Sequence, residues 1–198
     1  MLSNDFWLQG GSGLAEVCLH YVQEMVQPEI KYGLISSPLG ECLAAFTTKG
    51  LCWFEPLTKS DVPERLTASW HPASLSRADE SVGQRFAECL ARGSMRLHLV
   101  GTQFQLAVWS ALRATSPGET LTYSELAHRL NKAGAARAVG GAVAANHIAG
   151  FVPCHRVVPA AGGNGEFRWG RRLKQQMLAV EGGQAVSVSA RLGKELIF

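Results

Sequence analysis

TYSELAHRLNKAGAARAVGGAVAANHIAGFVPCHRVV, residues 122–158, is the stretch on which the reading of the fold turns. Thr122 and Glu125 stand in Thr-x-x-Glu spacing, where each side chain satisfies a backbone donor left over at a helix start. The helix they open is predicted to run to about Leu130. A turn through Gly134 then leads into a second helix over residues 135–145, built of Ala, Gly and Val around Arg137. Ala138, Gly140, Gly141, Ala142 and Ala145 carry almost no side chain. Such a helix suits a tightly packed helical neighbour or a narrow groove, and the letters alone allow both. The apolar segment Ile148–Val152 follows and delivers Pro153-Cys154-His155-Arg156, then Val157-Val158. Cationic groups beside a thiol favour its reactive thiolate form, and an adjacent imidazole supplies a base. A buried structural cysteine next to a surface His and Arg would spell the same four letters.

Working outward, Thr102 caps a helix reaching about Arg113, with Phe104, Ala107, Val108, Ala111 and Leu112 turned inward. Ser116-Pro117-Gly118 ends it. A last helix spans about 171–181 and stops at Gly182-Gly183. Upstream, residues 31–37, 42–48 and 51–55 read as strands joined by turns at Pro38–Glu41 and Lys49-Gly50. Residues 56–75, rich in Pro, Ser and Thr, read as loop, and 79–92 as helix. Leu14, Val17, Cys18, Tyr21, Val22 and Met25 share one helical face, predicting an amphipathic helix that Pro28 ends. The expected organisation is an N-terminal helix and extension (1–30), an α/β domain (31–98), a mostly helical domain (99–183) and a tail (184–198).

The chain has 198 residues, of which 46% are apolar, enough for a substantial core. No apolar run approaches the roughly 18 residues of a membrane span. The N-terminus lacks a basic stretch followed by an apolar one, so a cytoplasmic protein without membrane attachment is expected. Five cysteines with no Cys-x-x-Cys pair argue against a zinc ribbon or a thioredoxin-type site. Residues 1–100 hold 8 Lys/Arg against 11 Asp/Glu, net −3, whereas 101–198 hold 11 against 5, net +6. That asymmetry hints at a polyanionic partner for the C-terminal half.

Ala136-Arg137-Ala138-Val139-Gly140, Asn146, Pro153–Val158, Arg168-Trp169-Gly170 and Glu181-Gly182 together closely resemble the O6-alkylguanine-DNA alkyltransferase family. Phe104–Trp109, Gly118-Glu119 and Thr122-Tyr123 fit that family's upstream pattern. Ser37–Gly40 and Lys49–Cys52 look like its first hairpin. The resemblance covers about residues 31–183. It implies an α+β architecture: a small ribonuclease H-like α/β domain, then a winged-helix-like DNA-binding domain with a helix-turn-helix. It implies irreversible, once-per-molecule transfer of the alkyl group of O6-alkylguanine to Cys154, without a cofactor. The partner would be double-stranded DNA met from the minor groove, by a monomer.

By the same resemblance His155 takes the thiol proton through a water, Glu181 orients His155, and Tyr123 crowds the target phosphate and assists the base. Arg137 fills the gap left by the flipped nucleotide, with Ala138 and Gly140 in the groove. Asn146 ties the second helix to the active-site segment. Pro153, Val157, Phe167, Arg168 and Trp169 line the substrate pocket. Phe167 stands where the family usually has tyrosine, so one hydroxyl is missing and a slower enzyme, not an inactive one, is expected. The glycine-rich loop 160–165 is expected to fold over the bound base. The structural zinc of some members finds no ligand set here. Rival readings are a non-catalytic lesion sensor, a sequence-specific regulator and a cysteine hydrolase. The second wants base-reading side chains that residues 138–145 lack. The third wants a His remote in sequence from the thiol.

Overall fold

The computed structural model describes residues 17–21 (backbone only), 28–57, 62–71 and 73–183. Among them the chain divides into two compact units, residues 17–100 and 101–183.

The first unit is built on a six-stranded sheet of order β1-β6-β4-β3-β2-β5. β2 (Glu29–Ser37) and β3 (Gly40–Phe46) form an antiparallel hairpin closed at Ser37↔Gly40. Gly40 takes φ +89° there, a left-handed conformation that glycine adopts without steric cost. β4 (Leu51–Pro56) continues the meander and is buried along its whole length. Its Glu55 is tolerated in that setting because Arg65 meets it, Nη2 to Oε2, at 2.5 Å. β5 (Ser74–Arg77) and β6 (Leu97–Gly101) add in parallel to β2 and β4. Helix α2 (Asp79–Ala91) buries Val82 and Phe86, the latter stacked on Phe54 at 5.2 Å.

Three expectations for this unit are overturned. Val17–Tyr21, expected within an amphipathic helix, is strand β1 beside β6. Val17-Cys18-Leu19-His20-Tyr21 alternates with period two as readily as it fits a helical face, and a free sheet edge decides between the two. The rest of that expected helix lies outside the described residues. Residues 56–75, expected as loop, contain helix α1 (Val62–Ser69) as well as β5. α1 has too few apolar residues to show a periodic face. It forms around Leu66, fully buried, with Trp70 just beyond its end, in a core cluster with Ile30, Leu43, Ala45, Cys52 and Trp53. Packing, not propensity, supplies the stability of so short a helix. β6, finally, falls where only a domain boundary was expected.

The second unit opens with α3 (Gln103–Arg113), capped by the reciprocal Thr102–Gln105 pair. Its buried face is Leu106, Val108, Trp109 and Leu112. Of the residues expected inward, Ala107 is exposed and Phe104 half-buried. Trp109 shifts the face by one position, because its indole Nε1 donates to the Ala142 carbonyl at 2.8 Å and so turns that side of α3 inward. α4 (Tyr123–Arg129) carries the anticipated capping box, with Glu125 N donating to Thr122 Oγ1 at 3.2 Å and Thr122 N to Glu125 Oε2 at 2.6 Å. A turn with Gly134 at φ +83° leads to α5 (Ala136–Ala144). β7 (Leu121–Thr122) and β8 (Val157–Val158) pair in parallel, and α6 (Arg171–Glu181) closes the unit.

Leu66→Ala is expected to cost about 3 kcal/mol in urea unfolding, as for other fully buried leucines. A loss below about 0.5 kcal/mol, typical of a surface position, would mean that α1 contributes nothing to the core.

Candidate functional site

Cys154 lies in a single 3-10 turn, Cys154–Arg156, between two fixed segments. Ahead of it, Asn146 emerges from the end of α5 and is 2% exposed. Its Oδ1 accepts from Ile148 N at 2.9 Å, and its Nδ2 donates to Val152 O at 3.0 Å and to the Cys154 sulfur at 3.1 Å. Behind it, β8 pairs with β7 at the start of α4. The thiol is thus held in place through backbone and amide hydrogen bonds from both sides, with Pro153 and Val157 buried next to it.

Burial pushes the Cys154 thiol up to about 11. The Asn146 hydrogen bond, the Lys174 ammonium and the Arg168 guanidinium pull it back only in part. This reverses the expectation that the neighbouring His and Arg would make a ready thiolate. His155 and Arg156 are both 1% exposed, and their side chains are committed elsewhere.

Their common partner is Glu181, the last residue of α6. His155 Nε2 lies 2.9 Å from Glu181 Oε1, while Arg156 donates through Nη2 to Oε1 at 2.8 Å and through Nε to Oε2 at 2.9 Å. The backbone N–H of Gly118 adds a fourth contact, to Oε2, at 3.1 Å. Burial by itself would raise the carboxyl, but the hydrogen bonds from His155 and Arg156 outweigh it and bring it down to about 2. Arg156 Nη1 reaches onward to the Thr115 carbonyl at 2.6 Å and its hydroxyl at 2.9 Å. With an ionised Glu181 on Nε2, that nitrogen carries the imidazole proton. Nδ1 is left as an acceptor that finds no partner among the described residues. Burial pushes the His155 pKa below its usual 6.5, the Glu181 contacts notwithstanding, so the ring is neutral at pH 7.

Tyr123, the first residue of α4, is half-buried. Burial and then the proximity of Cys154 push its phenol up, so it stays protonated. Its ring lies 3.8 Å from where a Cβ on Gly140 would stand. On α5, Val139, Ala142 and Val143 are buried, whereas Arg137, Ala138, Gly141 and Ala144 face out. Nothing among the described residues comes within 4 Å of a Cβ placed on Gly141. The small outward residues are therefore not consumed by packing against a neighbouring helix.

Trp169 is buried and meets Phe167 edge to face at 5.0 Å. Lys174, 1% exposed, donates to Val157 O at 2.6 Å and lies 5.9 Å from the Phe167 ring centre. Arg168 is exposed, and its guanidinium donates to Ala144 O, where a pocket position was expected. Sequence reasoning missed Thr115, Gly118 and Lys174, and it read Arg156 as a partner of the thiol. Two of these carried a signal: Gly118 lies in the stretch that fits the family's upstream pattern, and Lys174 is a cation on α6 between the apolar Leu173 and Met177. No group of three His, Cys, Asp or Glu among the described residues is arranged to hold a metal ion. No described helix is long and apolar enough to cross a membrane.

Residues 103–183 match the family described as 6-O-methylguanine DNA methyltransferase, DNA binding domain. A methylated-DNA–protein-cysteine methyltransferase of Mycolicibacterium paratuberculosis is 37% identical over 152 residues, covering 77% of this chain and 92% of the relative. The bifunctional transcriptional activator/DNA repair enzyme Ada of Escherichia coli is also 37% identical over 161 residues, but the chain spans only 45% of its length. Among solved structures, the Mycobacterium tuberculosis OGT in complex with DNA superimposes with a TM-score of 0.64 at 32% identity, covering 80% of this chain and 96% of that one. With 37% identity over 152 residues that span 92% of such a relative, the chain belongs to the methylated-DNA–protein-cysteine methyltransferase family.

Proposed function

We propose that this protein repairs DNA by moving the alkyl group of O6-alkylguanine onto Cys154, once per molecule. The observation that carries the reading is the buried thiol hydrogen-bonded by Asn146, beside a neutral His155 whose free nitrogen is an acceptor. In the proposed reaction the Cys154 sulfur attacks the alkyl carbon, the S–C bond forms and the C–O6 bond breaks. The thiol proton leaves through a water to His155 Nδ1, and a proton reaches guanine by way of the Tyr123 hydroxyl. Glu181 stabilises the imidazolium that forms in between. The product thioether has no easy route back to thiol, so no second turnover follows, and no cofactor is called for.

The target oxygen lies inside the duplex, so the nucleotide must be rotated out of the stack at a cost of a few kcal/mol. α4 and α5 would act as a helix-turn-helix whose bare outer face, with Ala138 on it and Gly140 at its half-buried edge beside Tyr123, enters the minor groove. Arg137 would fill the space the nucleotide leaves. Pro153, Val157, Phe167 and Trp169 would wall the pocket, with loop 160–165 closing over it. We read the first unit, residues 17–100, as ribonuclease H-like and the second, residues 101–183, as winged-helix-like. A cytoplasmic monomer fits this reading. The high thiol pKa is the observation that favours the rival, a lesion sensor without chemistry, and one measurement separates them.

Intact-mass spectrometry after mixing with a duplex containing O6-methylguanine is expected to show one added methylene, on the Cys154 peptide, and never a second. Cys154→Ala should bind the duplex and gain nothing. A wild-type protein that binds the duplex and gains no mass would establish the sensor instead.

Arg137→Ala is expected to slow repair in duplex at least tenfold more than reaction with free O6-benzylguanine, since only the duplex needs its gap filled (about 1.4 kcal/mol per tenfold). Equal losses on both substrates would remove the gap-filling role.

The pH dependence follows from a His155 that works as a neutral base with a lowered pKa. Transfer should be flat from pH 8 to 7 and fall on the acid side of 6.5. Stability falls in the same direction, because below 6.5 the unfolded chain takes a proton that the fold refuses. In His155→Gln the flat region should vanish, with the rate climbing about tenfold per pH unit between 7 and 9.5, toward the thiol's own titration near 11. A flat profile in that variant would show that His155 is not the base.

A further inference from the structure

Arg168 bridges two parts of the second unit that nothing in the proposed chemistry requires to be joined. Its Nε donates to the carbonyl of Ala144 at 3.0 Å and its Nη2 donates to the same oxygen. Ala144 is the last residue of α5, and its carbonyl belongs to the helix end, where main-chain acceptors lack intrahelical donors. A guanidinium there satisfies the acceptor and complements the negative end of the helix dipole.

The other end of the bridge is the pocket strap. Arg168 sits between Phe167 and Trp169, whose rings meet edge to face, and Gly170 N closes the strap by donating to Phe167 O at 3.1 Å. A second tie leaves the same end of α5 in the other direction, since Asn146 holds the Cys154 sulfur. The C-terminal end of α5 is therefore fastened both to the nucleophile and to the aromatic wall proposed to hold the base.

We propose that Arg168 is a positioning residue that makes the aromatic strap follow α5, so that seating this helix on DNA sets the pocket wall in register with the thiol. The inference rests on the alkyl-transfer reading and adds a residue to it. It distinguishes two substrates. A lesion in duplex engages α5 and depends on the bridge, whereas a free base enters the pocket without touching the helix. The charge of Arg168 also faces the thiol, but Asn146 and Lys174 affect that thiol more strongly, so loss of the charge alone weighs little on the free-base reaction.

The test compares wild type, Arg168→Ala, Arg168→Met and Arg168→Lys for the rate of Cys154 alkylation, read by intact mass, with free O6-benzylguanine and with a duplex containing O6-methylguanine. The two hydrogen bonds lost to alanine predict a duplex rate about tenfold lower, with the free-base rate changed less than about threefold. Lysine, which can still donate to Ala144 O, should recover most of the duplex rate. Methionine keeps the aliphatic stem and loses only the donors, so it replaces alanine in the comparison if alanine fails to fold. A duplex rate within twofold of wild type in both neutral variants would overturn the proposal. So would equal losses on the two substrates, or a lysine variant no better than alanine. Wild-type protein inert toward both substrates would instead overturn the alkyl-transfer reading itself.

Discussion

One carboxylate, that of Glu181, organises the site. Its two oxygens take contacts from His155, from two nitrogens of Arg156 and from the backbone of Gly118. Removing a carboxylate from water costs several kcal/mol unless partners compensate, and here compensation is complete. The consequences radiate outward. Arg156 continues to Thr115 at the end of α3, so the carboxylate joins the end of α6, the 3-10 turn of the thiol and the turn after α3. The imidazole is left with one tautomer and one orientation. A close fit accompanies this, for a Cβ on Gly118 would stand 3.1 Å from the Glu181 carbonyl, and φ there is +80°. Three polar side chains at 1% exposure form a unit in which each makes the burial of the others tolerable.

The same enclosure governs the thiol. Burial holds its pKa at about 11, so at pH 7 the sulfur carries its proton. A stored thiolate would be exposed to every oxidant and electrophile that reached it. On the proposed mechanism, a protonated thiol beside a neutral His155 would stay inert until an alkyl carbon is in place. In the proposed reaction, burial would keep the Cys154 sulfur safe and His155 would make it available when needed.

The parts of this protein legible in sequence are those encoded locally. The cap at Thr102 and the capping box at Thr122 need only local spacing, and both helix starts formed where expected. Pro153–Arg156 marked Cys154 as a candidate by the same kind of local pattern, though those letters left a structural cysteine equally open. What escaped depends on residues distant in sequence. Val17–Tyr21 becomes a strand because β6 offers an edge, some 80 residues away. α1 forms because Leu66 and Trp70 have a core to enter, which no local pattern reveals. Arg156 could not be assigned to Glu181 across 25 residues without the fold. The sign of the thiol shift was misjudged because adjacency in sequence said cation, whereas enclosure, a tertiary quantity, said desolvation.

The outer face of α5 has a bearing on search as well as fit. Ala138, Gly141 and Ala144 offer methyl groups and bare backbone, and Arg137 is the sole long side chain of that helix. Base pairs are told apart by donors and acceptors aimed at their edges, and this face holds almost none. A surface so poor in readable chemistry is indifferent to the order of bases it passes. Its hold on a duplex would come from shape and from phosphates, which every stretch of DNA offers alike. If α5 docks on DNA as proposed, such illiteracy would suit damage that strikes without regard to neighbouring letters, with selectivity deferred to the pocket.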